Sequence, residues 1–413
     1  MSVIAQSIDE AAERLAGVVT ETPLQFNPRL SQATGAQVWL KREDLQPVRS
    51  YKLRGAYNLI SQLSAAERTA GVVCASAGNH GQGVAFACAR LGIRGQIFVP
   101  STTPRQKRQR MRQLGEGWVE LIVHGDTYDD AASLAEEVVA SEDRTMVPAF
   151  DDPRTIAGQG TVSAEIVRQL GRAPDTLIVP VGGGGMLAGC LTWLAERHPG
   201  TKVVGAEPSG AASMAIALEA GRARDLPRLD TFVDGAAVRR VGELTFEVAR
   251  RLKPHMFSVP EGRICSEMLE LYQTDGIIAE PAGALATAAL GIYRPSAGRV
   301  VVAIVSGGNN DLSRYAEIVE RALVYEGRKH YFLVNFPQEP GALRRFLDDV
   351  LGPDDDITLF EYVKRSNRET GPALVGIELG DRADLQGLLD RIQHSRIKVE
   401  RVPPDSPFYR FVV

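Results

Sequence analysis

Short apolar runs alternate with amphipathic stretches from about residue 70 onward, and this alternation limits the possible folds more than any other feature of the chain. Val72-Val73-Cys74-Ala75, Ile97-Phe98-Val99, Val119 to Val123, Thr176 to Val181, Val203-Val204-Gly205 and Val300 to Val305 read as strands. A strand that is apolar on both faces must be covered on both faces, which parallel sheets flanked by helices achieve. The intervening stretches carry helix punctuation. Val84 to Leu91 stops at Gly92, and Pro104 to Leu114 has Pro in its first turn and Gly115 after it. Near the start, Ser7-Ile8-Asp9-Glu10 has the form of a capping box opening a short helix.

The pattern changes after residue 316. Ile318 to Arg328 reads as a connecting helix or linker. Beyond it, His330–Phe336 reads as a strand, Pro340–Leu351 as a helix, Ile357–Val363 and Ala373–Leu379 as strands, Asp381–Ser395 as a helix and Lys398–Val402 as a strand. The order βαββαβ is that of a small ferredoxin-like α+β domain. The expected division is an α/β body over residues 1–317, a linker over 318–328 and a second domain over 329–413.

Composition removes several classes of function. With 413 residues, 44% hydrophobic and 24% charged, the chain can bury large cores and does not read as disordered. A net charge of −4 gives no electrostatic footprint for nucleic acid or membrane. Arg105, Lys107, Arg108, Arg110 and Arg112 cluster on one helix, but without interleaved aromatic residues they read as a solvated basic face. Cys74, Cys88, Cys190 and Cys265 are widely spaced and form no C-x-x-C pair, as expected of free thiols in a reducing compartment. No apolar run is long enough to span a bilayer and no signal peptide is apparent, so a cytoplasmic location is expected.

Three glycine-rich turns follow apolar strands. Ser76-Ala77-Gly78-Asn79-His80-Gly81 stands between a strand and a helix, where unpaired N–H groups and the helix dipole suit an anion such as a carboxylate. Gly182-Gly183-Gly184-Gly185-Met186 lets the backbone close around a phosphate. It lacks the Lys-Ser or Lys-Thr of a P-loop, yet Gly183 to Ala188 fits the dinucleotide pattern G-x-G-x-x-A, with Glu207 about twenty residues on at a strand end. A nicotinamide enzyme therefore remains open on this segment. Ser306-Gly307-Gly308-Asn309-Asn310 follows Val300–Val305 and places a hydroxyl where it could meet a ligand ring.

Upstream lie Lys41-Arg42-Glu43-Asp44-Leu45 and Ser50-Tyr51-Lys52-Leu53-Arg54-Gly55-Ala56. This segment resembles the pyridoxal-phosphate (PLP) lysine signature of the serine/threonine dehydratases. The three turns follow it in that family's order, so the resemblance spans roughly residues 15–315. It implies a PLP fold type II body of two lobes, the small one over about 71–149 inserted in the large one. It also implies roles. Lys52 forms the Schiff base with PLP and then acts as the base at the substrate Cα. Asn79 bonds the cofactor's ring oxygen, Gly182, Gly183, Gly184, Gly185 and Met186 hold the phosphate, and Ser306 meets the ring nitrogen. The amides of Ser76, Ala77, Gly78, Asn79 and His80 grip the substrate carboxylate, and Glu280 lines the site. A serine at the ring nitrogen does not hold a proton there, which favours loss of the β-hydroxyl over reprotonation. Glu207, Ala211 and Ser213 are weaker candidates for holding a cation.

The second domain resembles the single ACT-like regulatory domain of short biosynthetic threonine dehydratases, through Phe336 to Leu343, Ile357 to Tyr362 and Gly376 to Leu379. The resemblance implies conversion of L-threonine, and of L-serine, to a 2-oxo acid and ammonia on the route to isoleucine. It further implies inhibition by isoleucine, in a homo-oligomer, dimer or tetramer. Phe360 and Tyr362 alternate along one strand, so one face could present both as effector contacts, with core packing as the alternative for either. The enzyme alternatives are a catabolic serine/threonine dehydratase and a serine racemase. Against the racemase stands Ala77, where the racemases have a serine able to transfer a proton. The non-enzyme alternative is an amino-acid sensor.

Overall fold

Val300–Val305 is buried at every position and lies inside a six-stranded sheet, in the order Leu24–Phe26, Gln37–Arg42, Val300–Val305, Thr176–Pro180, Lys202–Pro208, His255–Val259. All pairs are parallel except that of the edge strand Leu24–Phe26 with Gln37–Arg42. Coverage on both faces explains the unbroken apolar run. A second, four-stranded parallel sheet runs Val119–Val123, Gly95–Val99, Val72–Ala75, Thr145–Met146. Its core recruits Ala56, Leu59 and Ile60 from the helix Lys52–Ser61, which pack with Val72, Cys74 and Ile97. The computed structural model describes residues 3–362, 369–403, 406 and 409.

Several helices begin elsewhere than the sequence suggests. The helix expected from Val84 starts at Asn79, although Gly81 and Gly83 weaken its first turn intrinsically. Both glycines are required by packing. A Cβ on Gly81 would lie 2.6 Å from the Ser76 carbonyl, and one on Gly83 would lie 3.1 Å from the Leu53 amide nitrogen. The first helix is Ala5–Leu15, so Ser7 sits within it and its Oγ accepts from the Ile4 amide. Pro104 caps the helix Arg105–Gly115 from outside.

Beneath the Lys52 helix lies a buried ion network. Arg54 donates to both Glu43 oxygens at 2.8 Å and to Glu165 at 2.9 Å, and Lys41 donates to Glu165 at 2.5 Å. Thr22 donates to Glu43 at 2.7 Å. Each charge has partners, which is the condition under which ions persist in an interior. The network joins the strand Gln37–Arg42, the helix Lys52–Ser61 and the helix Pro153–Leu170.

The chain divides into compact units between Asn310 and Asp311. The second unit has an antiparallel sheet, Asp356–Tyr362, Thr370–Glu378, Lys329–Pro337, Lys398–Val402, the ferredoxin-like order. Helices Ala342–Val350 and Leu385–His394 contribute Phe346, Val350 and Leu388 to a core with Phe332, Val334, Phe336, Val375 and Ile377. The stretch 318–328 is mostly the helix Tyr315–Tyr325, and it belongs to this unit. Glu320 on that helix pairs with Lys329 and accepts from the Tyr331 hydroxyl at 2.5 Å. Val363, expected to end a strand, lies outside the described residues.

Candidate active site

The loop before Lys52 is stitched to the end of the strand Val300–Val305. Ser50 bridges Gly307, the Tyr51 amide donates to the Ser306 carbonyl at 3.1 Å, and the Gly308 amide donates to the Arg49 carbonyl at 2.9 Å. Two motifs more than 250 residues apart thus share one backbone ladder. Lys52 then opens its helix, with Nζ 3.1 Å from the Ala149 carbonyl. Burial pushes its amine down to about 8, against the opposing pull of the Glu280 carboxylate. A lysine held near neutrality can move a proton at physiological pH.

Ala149 leads to the tetraglycine turn. The Gln159 side chain donates to the Ala149 carbonyl at 3.0 Å, and a Cβ on Gly185 would fall 2.3 Å from Gln159 Oε1. A Cβ on Gly183 would enter the Phe150 ring at 2.2 Å. Gly184 has φ of 93° and caps the helix Gly185–Arg197, whose first turn includes Met186. Gly182 lies against Ala236, at 3.0 Å from a built Cβ. Only bare backbone is accommodated from 182 to 185, so amides and a helix N-terminus face the space beyond the strand end. The Gly183 carbonyl is held by Thr245 Oγ1 at 2.7 Å.

The first glycine turn supplies a second helix N-terminus. Gly78 caps the helix Asn79–Leu91 with no side chain, leaving first-turn amides available, and Gly78 itself donates to Ser76 Oγ at 3.3 Å. The Ala77 side chain carries no polar atom here. The His80 imidazole turns away from this turn, its Nε2 lying 2.7 Å from the Val147 carbonyl. Burial, and next the Lys52 charge, drive it down to about 3, so it is neutral. Asn79 donates to Glu280 Oε1 at 2.5 Å and accepts from Asn309 Nδ2 at 2.8 Å. Ser306 is buried, and its hydroxyl donates to the Ala282 carbonyl at 3.1 Å. Lys52, Asn79, Glu280, Ser306 and the glycine turns therefore gather beyond strand ends of the two parallel sheets.

Other candidates lie in different surroundings. Glu207 accepts from the Met214 and Ala215 amides at 2.6 and 2.9 Å and so caps the helix Ser213–Ala220. Burial raises its carboxyl to about 7. No group of three or more His, Cys, Asp and Glu side chains that could hold a metal ion occurs among the described residues. Phe360 and Tyr362 share one face and pack on Phe336, with ring centroids 5.8 and 5.7 Å away, against the core of the second unit. Sequence reading missed Ala149, Gln159 and Asn309. Ala149 acts through its backbone and Gln159 sits within a helix, so neither carries a signal; Asn309 stood within the recognised Ser306 turn but was given no role of its own.

Residues 15–307 match the family described as pyridoxal-phosphate dependent enzyme, and residues 320–412 match the C-terminal regulatory domain of threonine dehydratase. The L-threonine dehydratase biosynthetic IlvA of Mycobacterium tuberculosis is 59% identical over 414 residues, covering 100% of this chain and 96% of the relative. The protein of the same name from Bacillus subtilis is 49% identical over 405 residues, covering 98% and 96%. Among solved structures, the processed form of threonine deaminase isoform 2 from Solanum lycopersicum superposes with a TM-score of 0.72 at 38% identity, covering 78% of this chain and 95% of that one. Maize serine racemase has a TM-score of 0.72 at 30% identity, covering 79% and 99%. With both units matched and the relatives alike along nearly the whole length, the chain belongs to the pyridoxal-phosphate dependent enzymes, in the biosynthetic threonine dehydratase family that carries a C-terminal regulatory domain.

Proposed function

We propose that this chain eliminates water from L-threonine and releases 2-oxobutanoate and ammonia, with L-serine as a second substrate giving pyruvate. The observation that carries the reading is a half-buried lysine whose amine is lowered to about 8, set among bare-backbone turns that suit two anions. The same features fit pyridoxal 5′-phosphate: an amine to link it, a tetraglycine cradle for its phosphate and the Ser306 hydroxyl for its ring nitrogen. When bound, this group supplies the electron sink that acidifies the substrate Cα–H. Lys52 Nζ takes the proton from Cα. The amides from Ser76 to His80 hold the carboxylate and so orient Cα toward that amine. Ser306 offers a neutral partner to the ring in place of a carboxylate. The β-hydroxyl leaves with a proton as water, and hydrolysis of the resulting enamine yields the 2-oxo acid and ammonia.

Racemisation requires an acid/base group on the face opposite Lys52, and Ala77 cannot be one. This favours the dehydratase reading over that of a serine racemase, despite the likeness to the maize structure. The regulatory domain supports inhibition by isoleucine bound within the second unit, with Phe360 and Tyr362 as contacts. It also favours a biosynthetic enzyme on the route to isoleucine, working in the cytoplasm as a homo-oligomer. No helix among the described residues is long and apolar enough to cross a membrane.

The test is steady-state release of ammonia and 2-oxo acid from L-threonine and L-serine, with and without isoleucine, for the full chain and for a chain ending at Asn310. The shortened chain should keep dehydratase activity and lose sensitivity to isoleucine. No 2-oxo acid from either substrate defeats the catalytic reading. A soluble, active, shortened chain still inhibited in the same concentration range defeats the regulatory one.

A further inference from the structure

Glu280 stands at the N-cap of the helix Pro281–Ala288 but does not cap it, since its side chain makes no bond to that helix. The carboxylate instead reaches a residue 201 positions away, accepting from Asn79 Nδ2 at 2.5 Å. Asn79 Oδ1 accepts from Asn309 Nδ2, which also donates to the Val48 carbonyl, both at 2.8 Å. An amide gripped at both ends cannot flip, so its nitrogen has one N–H left to offer. The surroundings are shaped for this contact. The Glu280 amide donates to the Gly307 carbonyl at 3.1 Å, and a Cβ on Gly307 would fall 2.3 Å from Glu280 Oε1. Two residues on, the Ala282 carbonyl accepts from Ser306. One turn, Glu280 to Ala282, therefore braces Asn79 on one side and Ser306 on the other.

We propose that Glu280 is a positioning residue for the cofactor: it locks the Asn79 amide so that its free N–H faces the ring oxygen, and it sets a carboxylate toward Lys52. This rests on the reading of Asn79 as a cofactor contact. The charged groups acting on Glu280 are Asp234, which opposes its ionisation, and Lys107, which favours it. The groups on which its own charge acts are Lys52 and the Tyr51 phenol. Burial first, and Asp234 next, raise the Glu280 carboxyl to about 7, so it is ionised above neutrality.

The experiment titrates pyridoxal 5′-phosphate back into apoprotein by its visible absorbance, for wild type, Asn79→Ala, Glu280→Ala, Glu280→Gln and the Asn79→Ala/Glu280→Ala pair. Glu280→Ala should weaken cofactor binding about tenfold or more beside Asn79, and less than about twofold beside Ala at 79. Glu280→Gln keeps an acceptor for Asn79 and should stay within about threefold. Equal weakening in both backgrounds, or none in either, overturns the proposal. Asn79→Ala alone separates the two layers: unchanged affinity there removes the assignment of Asn79, whereas a weakened Asn79→Ala with an additive Glu280→Ala removes only the role of Glu280. Should Glu280→Ala not fold, Glu280→Gln decides through the pH midpoint of the bound cofactor's visible band. Without the negative charge toward Lys52 that midpoint should fall by about half a unit or more, and an unmoved midpoint overturns the proposal.

Discussion

The two units of this chain bury different things. The first, Met1–Asn310, encloses Lys41, Glu43, Arg54, Glu207, Glu267 and Glu280 among its apolar residues. The second, Asp311–Val413, has a core cluster of Phe332, Val334, Phe336, Phe346, Val375 and Ile377, and among its described residues the buried polar ones are Lys329 and His330 at the start of its first strand. Burying ions costs free energy that an apolar core does not incur, so it persists where every ion is paired or where chemistry uses it. In the first unit the Arg54 network is the paired kind, and Lys52 and Glu280 are the kind left adjustable. The second unit holds its aromatic rings in edge and tilted contacts and keeps most of its charges at the rim. Its interior is suited to a stable frame for binding, and the interior of the first to proton transfer.

The largest test of this contrast is at Lys52. Lys52→Ala should lower turnover on L-threonine by about 10³-fold or more, the scale of a positioned base, with little loss of fold. Turnover near that of wild type would remove the distinction between a buried charge that works and one that only fits. Next comes the paired network. Arg54→Met leaves Glu43 and Glu165 without their shared partner and should destabilise the first unit by about 3–5 kcal/mol. Urea denaturation followed by cofactor absorbance reads this directly, and an unchanged midpoint would show that the network is not an obligate pair. Phe346→Ala, in the second unit, should cost about 3 kcal/mol through a cavity. Calorimetry should then show one transition lowered and one retained, and joint melting of all structure would break the division into separately stabilised units.

The smallest expected effect is one of pH. Glu280 has its carboxyl raised from the ordinary value of 4.5 to about 7, by burial first. The folded protein therefore holds a proton there that the unfolded chain has released. That contribution to stability is full below about 4.5 and is lost as pH rises through about 7. Glu280→Gln has no such proton and should flatten the dependence of the urea midpoint on pH across this window. A slope equal to that of wild type would mean that another group sets it.

Much of this was legible beforehand, for local reasons. Val300–Val305 was read with the bounds the structure has, because six apolar residues in a row between turn formers leave few alternatives. The order of the second unit was legible because two helices and four strands differ in period. Boundaries set by packing were not. The helix at Asn79 starts five residues ahead of the apolar run, on glycines that only the neighbouring backbone explains. The stretch from Ile318 read only as a connecting helix or linker, and not as part of the second unit, because the Glu320 contacts with Lys329 and Tyr331 depend on the return of the helix Tyr315–Tyr325 to the sheet.

By itself the sequence determined which residues could do chemistry. A lysine before a helix, glycines after apolar strands and a serine at a strand end are local properties, since each depends on what one short segment of backbone can adopt. Only the tertiary structure decided what those residues do to one another. It paired Glu280 with Asn79 and Asn79 with Asn309, and it placed Ala149 and Gln159 beside Lys52 and the glycines. In the second unit it inserted a bulge between Ile357 and Leu359, after which Phe360 and Tyr362 pair with Val375 and Ala373. Strict alternation from Ile357 would have turned Leu359 and Glu361 to the core. One extra residue in the bulge shifts the alternation and brings Phe360 and Tyr362 there in their place. Such outcomes depend on register and on contacts between distant segments, and their free energy exists only once the partner strand or turn is in position.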